Sequence, residues 1–145
     1  HAWVEGIGEK IVPIGLPEGQ FVVAKPPEGL ETARIFSHPD LKRDTETAII
    51  SGFAANPNAN VFGYGRNDLQ SVAQALCPGV TQALGWLKSL GLEGRMTGSG
   101  SAVFAPVAAG HGQDIDLGSA PGGYRVRLCS TLNRHPLAGW ATSDG

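Results

Sequence analysis

MTGSGSAVF, residues 96–104, alternates two glycines with two serines and then runs directly into an apolar segment. Small residues in series let the backbone come close to something: a phosphate, another loop, or the corner of a sheet. A phosphate loop of the Walker type reads GxxxxGK[ST], with a strand before it and a helix after it. No lysine follows these glycines, and Ala102-Val103-Phe104 reads as a strand. The stretch therefore predicts a tight loop feeding a strand, with a close neighbour still to be identified.

Upstream of it lie two helical patterns. Leu69, Val72, Ala73 and Leu76 fall at i, i+3, i+4 and i+7, with Asn67 or Asp68 available as the N-cap. Pro78 suits the first turn of a second helix, on which Val80, Ala83, Leu84, Leu87 and Leu90 share a face, and Gly91 and Gly94 stop it. Downstream, 108–123 reads as loop. In 124–132, Tyr124, Val126 and Leu128 alternate with Arg125, Arg127 and Cys129, the pattern of a half-buried strand. At the start of the chain, HAWVE and KIVPI read as two strands joined by a turn at Gly6-Ile7-Gly8, and QFVVAKP (20–26) as a short buried strand. Gly6-x-Gly8 lacks the third glycine and the following helix of a dinucleotide fingerprint. A helical turn starts near Thr32, and Pro39 ends it. Residues 51–68 are loop by composition, and 133–145 an exposed tail. The order predicts an α+β fold, an antiparallel sheet with helices packed on one face.

Bulk composition narrows the function. At 145 residues the chain is long enough for one domain with a real core. A net charge of −2, with Lys and Arg scattered, lacks the footprint of a nucleic-acid binder. There is no apolar run of 18 residues to span a membrane. Two cysteines, Cys77 and Cys129, cannot build a disulfide framework; two buried reduced thiols and a cytoplasmic location are expected. His1, His38, His111 and His135 show no metal-binding spacing, and no metal site is expected. His1 as a mature N-terminus could chelate copper through its amine and ring, which is the reading of a secreted copper protein. Glu5, Glu9, Asp114 and Asp116 read as surface charge, and neither a GxSxG elbow nor a CxxC occurs. Phe36 stands out in TARIFSHPD, an aromatic among polar residues before a proline. It is either a lid over the core or an exposed face for stacking on a ring.

Taken together, GIGEKIVPI, FVVAKP, TARIF with SHPDLKRDT, NDLQ, GWLKSLG, RMTGSGSAVF and LNRHPL stand in a familiar order. They resemble the C-terminal half of the 4-diphosphocytidyl-2-C-methyl-D-erythritol kinases of the GHMP kinase superfamily, from residue 1 to about residue 137. MTGSGSAVF matches the third motif of that superfamily. The resemblance implies transfer of the γ-phosphate of ATP, with Mg2+, to the 2-hydroxyl of the erythritol moiety in non-mevalonate isoprenoid biosynthesis. It implies that residues 1–18 are the last strands of an N-terminal ATP-binding domain, and 19–145 a C-terminal substrate-binding domain. The catalytic groups (a lysine, a glycine-rich loop and an aspartate) would lie in an N-terminal half preceding His1, with none in this chain. Phe36 would stack on the cytosine of the cytidine-diphosphate substrate, and Thr32 would line the same pocket. Gly98, Ser99, Gly100 and Ser101 would pack against the ATP-phosphate loop of that half, where amides or hydroxyls could reach phosphate oxygens; a purely structural hairpin corner is the other reading. The expected partners are the small-molecule substrate and the N-terminal half, not nucleic acid or membrane. In 108–123 the family places a helix, and this glycine-rich stretch predicts looser packing or a short helix instead. A non-catalytic binding module on the same fold is the alternative.

Overall fold

A computed structural model of the chain describes residues 2–46, 61–108 and 110–132. The expectations for 51–60, for His1 and His135, and for 133–145 lie outside the described residues. Among the described residues, six strands and three α-helices follow one another as β1 (Ala2–Glu5), β2 (Lys10–Pro13), β3 (Gln20–Lys25), α1 (Thr32–Phe36), α2 (Leu69–Leu76), α3 (Pro78–Ser89), β4 (Arg95–Met96), β5 (Val103–Val107) and β6 (Arg125–Ser130). β1 and β2 form a separate antiparallel pair, and the other four strands form one antiparallel sheet in the order β4-β5-β3-β6.

Strand alternation decides which side of this sheet meets the helices. Val22 lies opposite Ala105 on one neighbour and Leu128 on the other, and Ala24 opposite Val103 and Val126. These rows face Val72 and Ala73 of α2 and Val80, Ala83 and Leu87 of α3, in one core that also takes in Ile35, Leu41 and Met96. Burying a side chain of this size is worth ~1.5–3 kcal/mol. The loop and helix boundaries expected from turn residues are met closely. α3 starts at Pro78, whose missing N–H costs nothing at a helix start.

The opposite face carries Phe21, Val23, Phe104 and Pro106 at the centre and Arg125, Arg127 and Cys129 on β6. The expectation of two buried thiols therefore fails for one of them. Both cysteines are free, but Cys129 is exposed because it shares the strand parity of the two arginines, while Cys77 is buried. Phe62 covers part of this face, its ring edge-on to Phe21 at 4.8 Å between centroids. Arg95 holds the covering segment in place by donating to the carbonyls of Phe62, Tyr64 and Gly65 at 2.9–3.1 Å.

Segment 108–123 contains two short 3-10 turns, Gly112–Asp114 and Leu117–Ser119, instead of a longer helix. The second caps the side of α3: Trp86 is buried there and its indole N–H donates to Ser119 Oγ at 3.1 Å. The apolar face of α3 is accordingly wider than the leucine stripe predicts.

Candidate functional site

The 97–102 segment is the connection of a β4–β5 hairpin, closed by Thr97 N–H donating to Ala102 O at 3.0 Å. Gly100 sits inside it at φ +86°, a left-handed conformation that favours glycine. A Cβ there would stand 2.7 Å from Met96 Sδ and 3.3 Å from Leu30 Cδ1. The close neighbour at Gly100 is thus the protein's own core. Gly98 is different. It also has positive φ, +54°, but a Cβ on it would meet nothing within 4 Å, so its backbone faces open space. The serines divide in the same way. Ser101 is 3% exposed and its hydroxyl donates to Glu28 O at 2.7 Å, fastening the loop to the segment after β3. Ser99 lies at the surface, its hydroxyl 2.8 Å from that of Thr32.

This last contact joins two groups of residues 67 positions apart in sequence. Thr32 is the first residue of α1, and Phe36 is its last. The short helix buries Ile35 in the core, which leaves Phe36 54% exposed. More than half of the surface of Phe36 thus stays accessible to solvent. Its backbone is anchored: Arg43 Nη2 donates to Phe36 O at 2.6 Å, and Nη1 to Leu41 O at 3.1 Å. The Thr32–Ser99 contact thus joins the start of α1 to the hairpin loop at the surface, with Gly100 and Ser101 packed inward and Phe36 at the other end of α1.

Two further residues hold the hairpin, and of these the sequence reading names only Asn67, as a cap. Asn67 donates to Met96 O at 3.0 Å and Gly98 O at 2.8 Å, and its Oδ1 accepts from Leu69 N–H at 3.0 Å. Gln70 accepts the Met96 N–H at 2.8 Å. Asp68, the alternative cap, makes no such bond; it pairs instead with Arg66 at 2.6 Å, and that hydrogen bond holds its carboxyl below the ordinary carboxylate range. Spacing alone cannot separate these two adjacent residues.

Other candidates resolve into local structure. Glu5 accepts from the Trp3 indole, Glu9 from the Ile7 amide and Asp116 from the Gly118 amide, all near the surface. His38 Nδ1 accepts from Asp40 N–H at 3.2 Å. Among the described residues, no three His, Cys, Asp or Glu side chains stand together as a metal site, and no helix is long and apolar enough to cross a membrane. Tyr124 donates to Gly79 O at 2.9 Å, and burial, aided by the Glu28 carboxylate, pushes its phenol up. An open depression of about 840 Å³ lies beside Lys42, Thr45, Arg66 and Asp68 rather than over Phe36.

Comparison with known proteins supplies the family. Residues 47–115 match the model of the C-terminal region of the GHMP kinases. The chain is 69% identical, over 144 residues, to a 4-diphosphocytidyl-2-C-methyl-D-erythritol kinase of Albidiferax ferrireducens, covering 99% of this chain and 47% of that protein. A protein of the same name from a Polaromonas species is 63% identical over 141 residues, covering 97% of this chain and 45% of the relative. The chain thus spans about half the length of the curated relatives it matches. A crystal structure of 4-(cytidine 5'-diphospho)-2C-methyl-D-erythritol kinase superposes with a TM-score of 0.58 at 26% identity, over 74% of this chain and 40% of that one. With its helices on one face of an antiparallel sheet and a strand pair ahead of it, the chain has the fold of the GHMP kinase C-terminal domain, and over nearly its whole length it is similar to 4-diphosphocytidyl-2-C-methyl-D-erythritol kinases.

Proposed function

We propose that this chain is the substrate-recognition half of an ATP-dependent kinase that phosphorylates the 2-hydroxyl of 4-diphosphocytidyl-2-C-methyl-D-erythritol in isoprenoid biosynthesis. One observation supports the reading: the Thr32–Ser99 hydrogen bond, which ties the helix that carries the exposed Phe36 to the open glycine-serine loop. A cytidine diphosphate needs both, a flat ring to stack on its base and dipoles to meet its phosphates.

The roles follow from this arrangement. Phe36 stacks on the cytosine, and such a contact is worth on the order of 1–3 kcal/mol. Thr32 lines the same pocket. Gly98 and Ser99 turn toward the phosphates, with Gly100 and Ser101 holding them there. Phosphoryl transfer is mainly positioning and charge stabilisation, so a stiff loop is a useful contribution from a chain without the reacting groups. The lysine, glycine-rich loop and aspartate that handle ATP belong, in this reading, to an N-terminal half. Mg2+ would be held there with the nucleotide and would neutralise charge developing on the transferred phosphate.

The domain boundary belongs to the same proposal. Residues 1–18 would complete the sheet of the N-terminal half, and 19–145 form the substrate domain. Val4, Ile11 and Val12 are large, apolar and exposed on β1 and β2, which suits strands that have their sheet partners elsewhere.

The test is Phe36→Ala in the full-length protein, with ATP and the cytidine substrate titrated separately. Affinity for the cytidine substrate should fall about tenfold or more while ATP binding stays within about twofold. Equal loss of both, or no phosphate transfer by the unmodified protein, would overturn the reading.

A further inference from the structure

We propose that Asn67 is a positioning residue that sets the phosphate-side loop, acting as a bracket between the start of α2 and the β4–β5 hairpin. The inference rests on the function proposed above for that loop. Asn67 uses its side chain in both directions. Its carbonyl oxygen accepts from Leu69 N–H in the first turn of α2, and its amide donates to Met96 O and Gly98 O, one on each side of Thr97. A side-chain amide has two donor hydrogens, so both are committed.

The bracket has a rigid base. α2 buries Val72 and Ala73 in the core, and one turn along Gln70 accepts the Met96 N–H. The approach to Asn67 is held as well, since Arg95 binds the carbonyls of Phe62, Tyr64 and Gly65. Met96 is therefore gripped through both its amide and its carbonyl, and Gly98 through its carbonyl. The Thr97 N–H is spent on Ala102 O, but with the Gly98 carbonyl turned toward Asn67 the Ser99 N–H of the same trans peptide points the opposite way, away from Asn67. That is the orientation an anionic oxygen requires. A Cβ on Gly98 would meet nothing within 4 Å, so no packing on that side fixes its orientation. Asn67 supplies the missing constraint.

Two variants separate this role from helix capping. Asn67→Ser keeps an oxygen for the Leu69 amide but cannot donate to both carbonyls. Asn67→Asp keeps the shape and the acceptor and has no donor hydrogens. Hydrogen exchange on this chain should show the Thr97 and Gly100 amides exchanging about tenfold faster in either variant, with Val72 and Ala73 within about twofold of the parent. In the full-length kinase, kcat should fall on the order of tenfold or more while KM for the cytidine substrate moves little. Unchanged loop exchange, or equal loss of protection in α2, would overturn the proposal and leave Asn67 a cap. An unmodified protein without kinase activity would instead sink the proposed function, and the exchange result would still judge the bracket.

Discussion

Two antiparallel strand pairs in this molecule have opposite surroundings. β3 and β5 each place alternate residues under α2 and α3, with Val22, Ala24, Val103 and Ala105 inaccessible to solvent. β1 and β2 pair in regular register, Trp3 opposite Val12 and Val4 opposite Ile11, yet both faces of the hairpin are open. Ile7 at its turn is fully exposed, and the Trp3 ring approaches Tyr64 only at 6.4 Å between centroids. Backbone pairing is similar in the two cases; what differs is the apolar surface removed from water. A two-stranded ribbon is marginal by itself and needs a third strand or a packed layer. The sheet has both, while the hairpin has neither among the described residues.

Mutation can break or sharpen this contrast. The largest effect is expected at the body: Leu87→Ala should destabilise the chain by ~2–5 kcal/mol in urea unfolding, since Leu87 is fully buried between α3 and the sheet. A cost below about 1 kcal/mol would mean that α3 is not part of the cooperative unit. Gly100→Val follows, at ~1–3 kcal/mol, combining a left-handed φ with a clash against Met96. If the proposed function holds, this variant should also cripple turnover in the full-length protein, and near-normal kinetics would reduce the loop to a hairpin corner. Val4→Ser, on the open hairpin, should change the stability of this chain by less than about 0.5 kcal/mol. The same change should cost clearly more in the full-length protein if residues 1–18 belong to another sheet; equal, small effects in both would refute that assignment. Smallest of all is Asp68→Asn. Asp68 is half-buried and its partner Arg66 exposed, so this surface pair should change melting at pH 7 only slightly. The lowered pKa adds stability above the unfolded value that fades as pH falls through the folded one, so any difference should vanish in acid.

The strands and helices were legible because their signals are local. The i, i+3, i+4, i+7 pattern of Leu69 to Leu76, Pro78 at the start of α3 and the alternation of 124–130 each report one periodicity, and each element formed where its period lay. Trp86 was missed because its partner, Ser119, belongs to a glycine-rich segment without a periodic signal. Cys129 was placed inside on residue type, although its parity with Arg125 and Arg127 puts it outside. In the candidate site, the resemblance pointed to Thr32, Phe36 and 98–101 separately. Asn67 and Arg43 left no such trace, since a cap residue and a surface arginine look alike whether or not they bind a distant carbonyl.

By itself the sequence determined the α+β class, the order of elements, the family resemblance and the glycine loop that interrupts the β4–β5 hairpin. These depend on short-range periods and on residues whose backbone preferences act in place. Tertiary structure alone decided that Thr32 meets Ser99, that Ser101 turns inward to Glu28 while Gly98 faces out, and that Asn67 spans to Met96 and Gly98. Each of these is a hydrogen bond between segments 29 to 73 residues apart. Such bonds form only after the core has folded the chain back on itself, because no local preference can offset the entropy of closing so long a loop.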